Sequence, residues 1–238
     1  MPGLGQAVVL VGGKGTRLGE LTQQTPKPLL PVAGRPFIDY LLHWLFDEGV
    51  DSVVLSAGYL SEQFEQALNA TEGYGGRVRL VTEPEPAGTG GALRHVEPLL
   101  ADQFFLLNGD SLFKVRLSEL AGLNADEPWI GKLALRWVPD VARYGSVVLK
   151  NRQIESFTEK GARAPGLING GIYLLKREIL REINQLPCSI ETDLFAPLAA
   201  QGRLWGLEMD GYFLDIGVPE DYQRAQSEIP AQFGGNLA

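Results

Sequence analysis

The chain has 238 residues, 45% of them hydrophobic, with a formal net charge of −8. That length can bury a full core as one α/β domain, and the acidic balance argues against nucleic acid as a partner, since general nucleic-acid binding asks for a basic face. A lone cysteine, Cys188, excludes an internal disulfide and a multi-cysteine metal site, and reads as a small buried residue. No apolar run approaches the roughly 20 residues of a membrane helix, and no basic segment followed by an apolar stretch opens the chain. A cytoplasmic protein with no membrane partner is therefore expected. Glycine and proline are scattered singly, with no linker or repeat, so one globule is expected.

In chain order, the first element is the apolar run Ala7-Val8-Val9-Leu10-Val11, whose β-branched residues predict a buried strand. Gly12-Gly13-Lys14-Gly15-Thr16-Arg17 follows it, at the strand end where open α/β sheets bind ligands. Glycine lets backbone N–H groups approach a phosphate, and Lys14, Arg17 and then Lys27 in Pro26-Lys27-Pro28 bring positive charge to the same place. In an acidic chain, such local cation clusters are what an acidic substrate would need. Residues 36–46 repeat apolar residues at helical spacing and stop near Gly49, and His43 among them reads as a surface or core-edge residue. Further strand-like runs occupy 52–57, 78–82, 104–108, 130–137 and 168–175.

Ser61 reads as the N-cap of a helix after the second strand. Gly88-Thr89-Gly90-Gly91 opens another, with N-terminal amides expected to be free for a ligand, and His95 on it reads as scaffold. Alternation of strands and helices predicts βαβ units and a mostly parallel sheet flanked by helices. After residue 140, Tyr144 to Lys150 and Gln153 to Phe157 predict a small antiparallel insertion. Ser189-Ile190-Glu191-Thr192-Asp193 reads as a capped helix start whose two acids favour the helix dipole. A terminal helix is expected from Pro219, fraying after Pro230.

Neither of two better-known glycine loops is present. A Walker A loop needs Ser or Thr after Gly-Lys, and Lys14 is followed by Gly15; the dinucleotide fingerprint needs a small residue where Leu18 stands. The combination of strand, Gly-Gly-x-Gly-Thr-Arg and Pro-Lys-Pro resembles the signature of the sugar-1-phosphate nucleotidyltransferases. The likeness continues through Leu107-Asn108-Gly109-Asp110, Glu159-Lys160, Asn169-Gly170-Gly171 and Phe213-Leu214-Asp215-Ile216-Gly217.

The resemblance implies a Rossmann-like nucleotide-diphospho-sugar transferase fold, with a small antiparallel insertion that binds sugar. It implies a single domain over 1–238, nucleotide-binding over about 1–110 and sugar-phosphate-binding over about 111–238. Relatives with an appended β-helix have much longer C-termini; here the catalytic domain alone is expected. The implied reaction is attack of a sugar 1-phosphate oxygen on the α-phosphorus of a nucleoside triphosphate, with release of pyrophosphate. A phosphate monoester of second pKa about 6 is already ionised at neutral pH and needs no general base, so catalysis reduces to alignment and charge neutralisation.

By the family pattern, Asp110 and Asp215 hold Mg²⁺, Arg17 reaches the β- and γ-phosphates, and Lys27 lies near the α-phosphate and the incoming sugar phosphate. Arg17, Lys27 and Asp110 are thus the catalytic set, and Gly12, Gly13, Lys14, Gly15, Thr16, Gly88 and Thr89 join Glu83 around the nucleotide. Lys160 resembles the family's sugar-phosphate contact. Glu159 and Asn169 are placed for sugar hydroxyls, Gly170 gives room for the ring, and Tyr144 and Gly145 form part of the sugar wall or, for Tyr144, of the packing.

Where uridylyl- and thymidylyltransferases place a glutamine, this chain has Glu83. A carboxylate only accepts, which suits the adjacent N1–H and N2–H₂ donors of guanine and favours GTP; Glu85 or a backbone group is the alternative reader. The motifs taken together look most like the D-glycero-α-D-manno-heptose 1-phosphate guanylyltransferases, whose product feeds bacterial surface polysaccharide. Mannose 1-phosphate guanylyltransferases come next, then uridylyltransferases acting on N-acetylmuramate or glucose 1-phosphate. A non-catalytic regulatory subunit would be expected to have lost Arg17, Lys27, Asp110 or Asp215, and all four are present. A glycosyltransferase would carry an Asp-x-Asp motif, which is missing around Asp110. A homo-oligomer is left open, since Trp129 and Trp205 suit either an interface or a core.

Overall fold

A computed structural model describes residues 3–13, 15–70, 74, 76–123, 128–158, 161 and 163–234. In chain order its first elements are β1 (Gln6–Leu10), β2 (Pro31–Val32), β3 (Arg35–Pro36), α1 (Phe37–Asp47), β4 (Ser52–Ala57), α2 (Ser61–Ala70), β5 (Val78–Thr82) and α3 (Gly88–Val96). Then come β6 (Gln103–Asn108), β7 (Ser111–Lys114), α4 (Leu117–Ala121), β8 (Gly131–Val138), β9 (Val147–Lys150), β10 (Gln153–Phe157) and β11 (Gly166–Lys176). The last are α5 (Ala196–Ala200), β12 (Leu204–Glu208), β13 (Tyr212–Asp215) and α6 (Pro219–Ala231). The chain divides into two compact units: Met1–Pro86 with Asn108–Lys114 and Tyr212–Ala238, and Ala87–Leu107 with Val115–Gly211.

In the first unit β1, β4 and β5 pair in parallel, Val8 opposite Val54 and Val54 opposite Arg79. Ala7, Val8, Val9, Val53 and Leu55 are wholly buried, as continuous apolar runs in parallel strands require. Apolar residues one turn apart on α1, Phe37, Leu41 and Leu45, are buried completely. The same helix buries Asp39, whose Oδ1 accepts the Tyr74 hydroxyl at 2.8 Å. Burial raises the Asp39 pKa, against the lowering effects of that hydrogen bond and of Arg35. His43 is exposed enough to meet Asp47 at 3.3 Å and reads as a surface residue.

Two further strands of this unit, β7 and β13, form an antiparallel ribbon with Phe113 opposite Phe213 and Ser111 opposite Asp215. The two phenyl rings meet edge to face at 5.6 Å, and Leu112 and Leu214 are buried. Gly109, just before the ribbon, donates its N–H to Leu10 O at 3.0 Å. A Cβ at position 109 would lie 2.5 Å from that same oxygen, so only glycine allows the approach.

In the second unit the strand order is β6, β11, β8, β12, β10, β9. The β12–β8 pair is parallel, whereas β11 runs antiparallel to both β6 and β8. The predicted βαβ alternation thus describes the first unit and simplifies the second. Parallel return needs a crossover of a dozen residues or more, usually a helix, and between β8 and β11 the chain builds the β9–β10 hairpin instead. Asn151 and Arg152 turn that hairpin at φ 50 and 67, the left-handed pair that a two-residue turn between twisted strands demands. This hairpin is the antiparallel element expected from residues after 140. Trp205 is buried, and the Trp129 ring is flanked by the ammonium groups of Lys132 and Lys176 at 4.4 and 4.5 Å. No helix among the described residues is long and apolar enough to cross a membrane.

Candidate active site

The loop after β1 runs between two charged side chains. A Cβ at Gly12 would lie 3.2 Å from Gly58 N and 3.4 Å from Glu83 Oε1, and one at Gly15 would lie 3.3 Å from Lys27 Cβ. Gly13, by contrast, has open space beside it, so its backbone is accessible to a ligand. Lys14 lies outside the described residues. Gly15, at φ 63, leads into the tight 3₁₀ turn Thr16–Thr22, which Thr22 closes by donating its hydroxyl to Gly15 O at 3.0 Å. Thr16 and Arg17 are exposed on that turn.

Lys27 lies in the short turn Lys27–Leu29 after Pro26. Its side chain is only 8% exposed, and Nζ donates to Asp110 Oδ2 at 2.6 Å. A buried ammonium requires such a partner. Asp110 in turn accepts the Ser111 hydroxyl on Oδ1 at 3.1 Å, and its backbone oxygen accepts the Ile216 N–H at 3.0 Å. That last bond joins the turn bearing Asp110 to the chain just beyond Asp215.

Asp215 accepts the Gly217 N–H at 2.7 Å. Burial pushes its pKa up first, the negative charge of Asp110 second, while Lys27, the Gly217 N–H and Arg17 pull the other way. Sequence positions 17, 27, 110 and 215 are therefore brought into one electrostatic neighbourhood of two cations and two carboxylates. Two adjacent carboxylates, with the pKa of Asp215 raised by burial and by the charge of Asp110, are a fitting set for a hard divalent cation whose charge would offset their repulsion. No group of three or more His, Cys, Asp or Glu suited to a metal exists among the described residues. Magnesium commonly takes one or two carboxylates and completes its shell with phosphate oxygens and water, so the pair fits that ion.

Glu83 follows β5 and is half-buried. Its N–H donates to Ala57 O at 2.7 Å, and its Oε1 accepts the hydroxyl of Ser56 at 3.1 Å. Ser56 is wholly buried. Sequence reasoning passed over it as one residue of an apolar strand; the signal was a hydroxyl inside Val53-Val54-Leu55-Ser56-Ala57, where a buried donor needs an acceptor. Glu85, the alternative reader, is exposed.

In the second unit, the N-terminal amides of α3 are not all free as expected. Gly90 and Gly91 both donate to Cys188 O, at 2.8 and 3.2 Å, because the loop around buried Cys188 packs onto that helix end and a first-turn amide takes whatever acceptor is nearest. Thr89 Oγ1 accepts the Ile190 N–H at 3.0 Å, and Gly88 precedes it at φ 80. Tyr144 and Gly145 both donate their N–H to Val141 O, at 2.9 and 3.0 Å, closing a turn. Asn169 on β11 is half-buried and Gly170 beside it buried. Both Asn169 N–H groups are taken, by Tyr173 and Glu191, and its Oδ1 accepts the Gly171 N–H. Glu159 and Lys160 lie outside the described residues.

A family described as Nucleotidyl transferase matches residues 6–232. The D-glycero-alpha-D-manno-heptose 1-phosphate guanylyltransferase of Aneurinibacillus thermoaerophilus is 34% identical over 226 residues, covering 94% of this chain and 98% of that protein. The mannose-1-phosphate guanylyltransferase catalytic subunit beta of Xenopus tropicalis is 34% identical over 224 residues, 91% of this chain and 62% of that one. Among solved structures, HddC from Yersinia pseudotuberculosis complexed with GMP-PN superposes with a TM-score of 0.81 at 30% identity, covering 94% of this chain and 98% of that one.

Proposed function

We propose that this chain, which belongs to the nucleotidyl transferase family, transfers GMP from GTP to a sugar 1-phosphate, D-glycero-α-D-manno-heptose 1-phosphate first among them. The observation that carries the reading is the Lys27–Asp110 pair at 2.6 Å with Asp215 beside it, a buried cation and two carboxylates at the end of a glycine loop. The heptose relative covers nearly the whole chain at 34% identity, which supports the choice of sugar.

In this reading an oxygen of the sugar 1-phosphate attacks the α-phosphorus of GTP while the bond to the bridging oxygen of pyrophosphate breaks. No proton has to move, because the nucleophile is already ionised at neutral pH. Gly12, Gly13 and Gly15 admit the triphosphate to backbone N–H groups. Lys27 neutralises charge at the α-phosphate, and Arg17, on its exposed turn, reaches the leaving pyrophosphate. Glu83, one oxygen held by Ser56, accepts from guanine N1–H and N2–H₂. Asp110 and Asp215 would hold Mg²⁺, which when bound neutralises phosphate charge on both substrates.

The unit that carries Lys27 and Glu83 serves the nucleotide, and the one that carries Asn169 and Tyr144 serves the sugar phosphate. A cytoplasmic location belongs to the same reading, since highly charged triphosphates do not cross a bilayer unaided. Pyrophosphate release with GTP, UTP, dTTP and CTP against heptose, mannose and glucose 1-phosphates tests the proposal. GTP with the heptose phosphate is expected to give the highest kcat/KM; preference for UTP or dTTP would refute the role of Glu83, and preference for mannose 1-phosphate would change the acceptor while leaving the chemistry intact.

A further inference from the structure

Asn169 stands where the family pattern expects a contact to sugar hydroxyls, yet its donors are spent. Nδ2 donates to the Tyr173 hydroxyl oxygen at 2.9 Å and to Glu191 Oε1 at 3.0 Å, and Oδ1 accepts the Gly171 N–H at 3.0 Å. A side-chain amide has two N–H protons, and both are used. The partners also fix which way the amide faces. Turned over, it would set an NH₂ against the Gly171 N–H and an oxygen against the Glu191 carboxylate.

Since Asn169 Oδ1 keeps only one lone pair beyond its bond to Gly171, the group with the most unused acceptor capacity is Glu191. It is exposed, and a carboxylate offers about four lone-pair sites, of which Asn169 takes one. Its neighbour Asp193 differs, because Asp193 Oδ2 accepts the Ser189 N–H at 2.7 Å and Oδ1 the Thr192 hydroxyl at 3.2 Å. The turn that bears Glu191 is pinned on three sides. Ile190 N–H is held by Thr89 Oγ1 at 3.0 Å, Glu191 itself by Asn169, and Phe195, at the turn's end, lies 5.0 Å from the Tyr173 ring and 6.5 Å from that of Phe157. Glu191 is thus fixed beside Asn169, in the unit that the proposed function assigns to the sugar phosphate.

We infer that Glu191 is the acceptor for a hydroxyl of the sugar ring, a specificity-determining residue, and that Asn169 is its positioning residue; the inference rests on the sugar-phosphate reading above. The dipole role expected for Glu191 from sequence does not account for its bond to β11.

The test measures KM for GTP and for whichever sugar 1-phosphate the wild type uses best, in Glu191→Ala, Glu191→Gln, Asn169→Ala and the double alanine variant. Glu191→Ala is expected to raise the sugar-phosphate KM about tenfold or more, the weight of a hydrogen bond to a charged group, with the GTP KM within about twofold. Glu191→Gln keeps an acceptor oxygen and loses less. Asn169→Ala raises the same KM by a smaller factor and adds little to Glu191→Ala, as residues acting through one contact do. An unchanged sugar-phosphate KM in Glu191→Ala, or equal shifts in both KM values with a fall in Tm, would overturn the inference. If the wild type turns over no sugar 1-phosphate, the functional reading fails separately. Calorimetric titration of mannose 1-phosphate onto wild type and Glu191→Ala then decides the role of Glu191, and equal binding or no binding to the wild type counts against it.

Discussion

Lys27 is a buried cation whose direct carboxylate contact is Asp110, and Asp215 feels both. Replacing it with alanine removes a fixed positive charge where negative charge gathers, so Lys27→Ala should lower kcat about 100-fold or more, read as pyrophosphate release by folded protein. Activity within a few-fold of wild type would take Lys27 out of the mechanism. Glu83 is proposed as a different kind of residue, one that selects rather than accelerates. Glu83→Gln exchanges an acceptor-only group for one that also donates, and the ratio of kcat/KM for GTP over UTP is expected to fall about tenfold or more. An unaltered ratio would pass the reading of the base to another group.

At the scale of elements, the β7–β13 ribbon matters because β13 ends on Asp215 and the turn that leads into β7 bears Asp110. Gly109 lets the chain enter it against Leu10 O, where a Cβ would have 2.5 Å. Gly109→Ala should therefore cost about 1–3 kcal/mol by denaturant midpoint and depress kcat further in the protein that remains folded, by shifting Asp110. Helix α1 has the opposite character, all packing with one buried acid. The folded-state pKa of Asp39 lies above its unfolded value. The native state then binds more protons between those two values, so stability falls as pH rises through that window and stays lowered above it. Asp39→Asn keeps an acceptor for Tyr74 and never ionises. It should melt at higher temperature than wild type at pH 8, with the gap closing as pH falls to about 4, the ordinary aspartate range; a gap that widens on acidification would refute this.

For the whole molecule the governing fact is a net charge of −8 on a chain proposed to join two anions. On that proposal, self-repulsion makes the substrate site depend on fixed cations and on a divalent ion that the two carboxylates would attract. Chelation by EDTA is expected to abolish turnover and Mg²⁺ to restore it. GTP with Mg²⁺ at 100 times Kd should stabilise the protein by about 2.7 kcal/mol, seen as a rise in Tm, and Asp215→Asn should blunt that rise. A full Tm response to GTP in the presence of EDTA would count against the ion.

Local pattern was enough for much of this protein. Strand β1, the glycine loop, helix α1 and the β9–β10 hairpin were legible because periodicity and turn chemistry act over a few residues. So were the residue types a polyphosphate site needs, since these are stated in short motifs. Long-range pairing was not legible in the same way. That β11 runs antiparallel, that Gly90 and Gly91 give their amides to Cys188, that Ser56 clasps Glu83 and that Asn169 donates to Glu191 all depend on partners from 22 to 98 positions away. A sequence names donors and acceptors; only the folded chain decides which of them have already spent their hydrogen bonds on each other and which remain for a substrate.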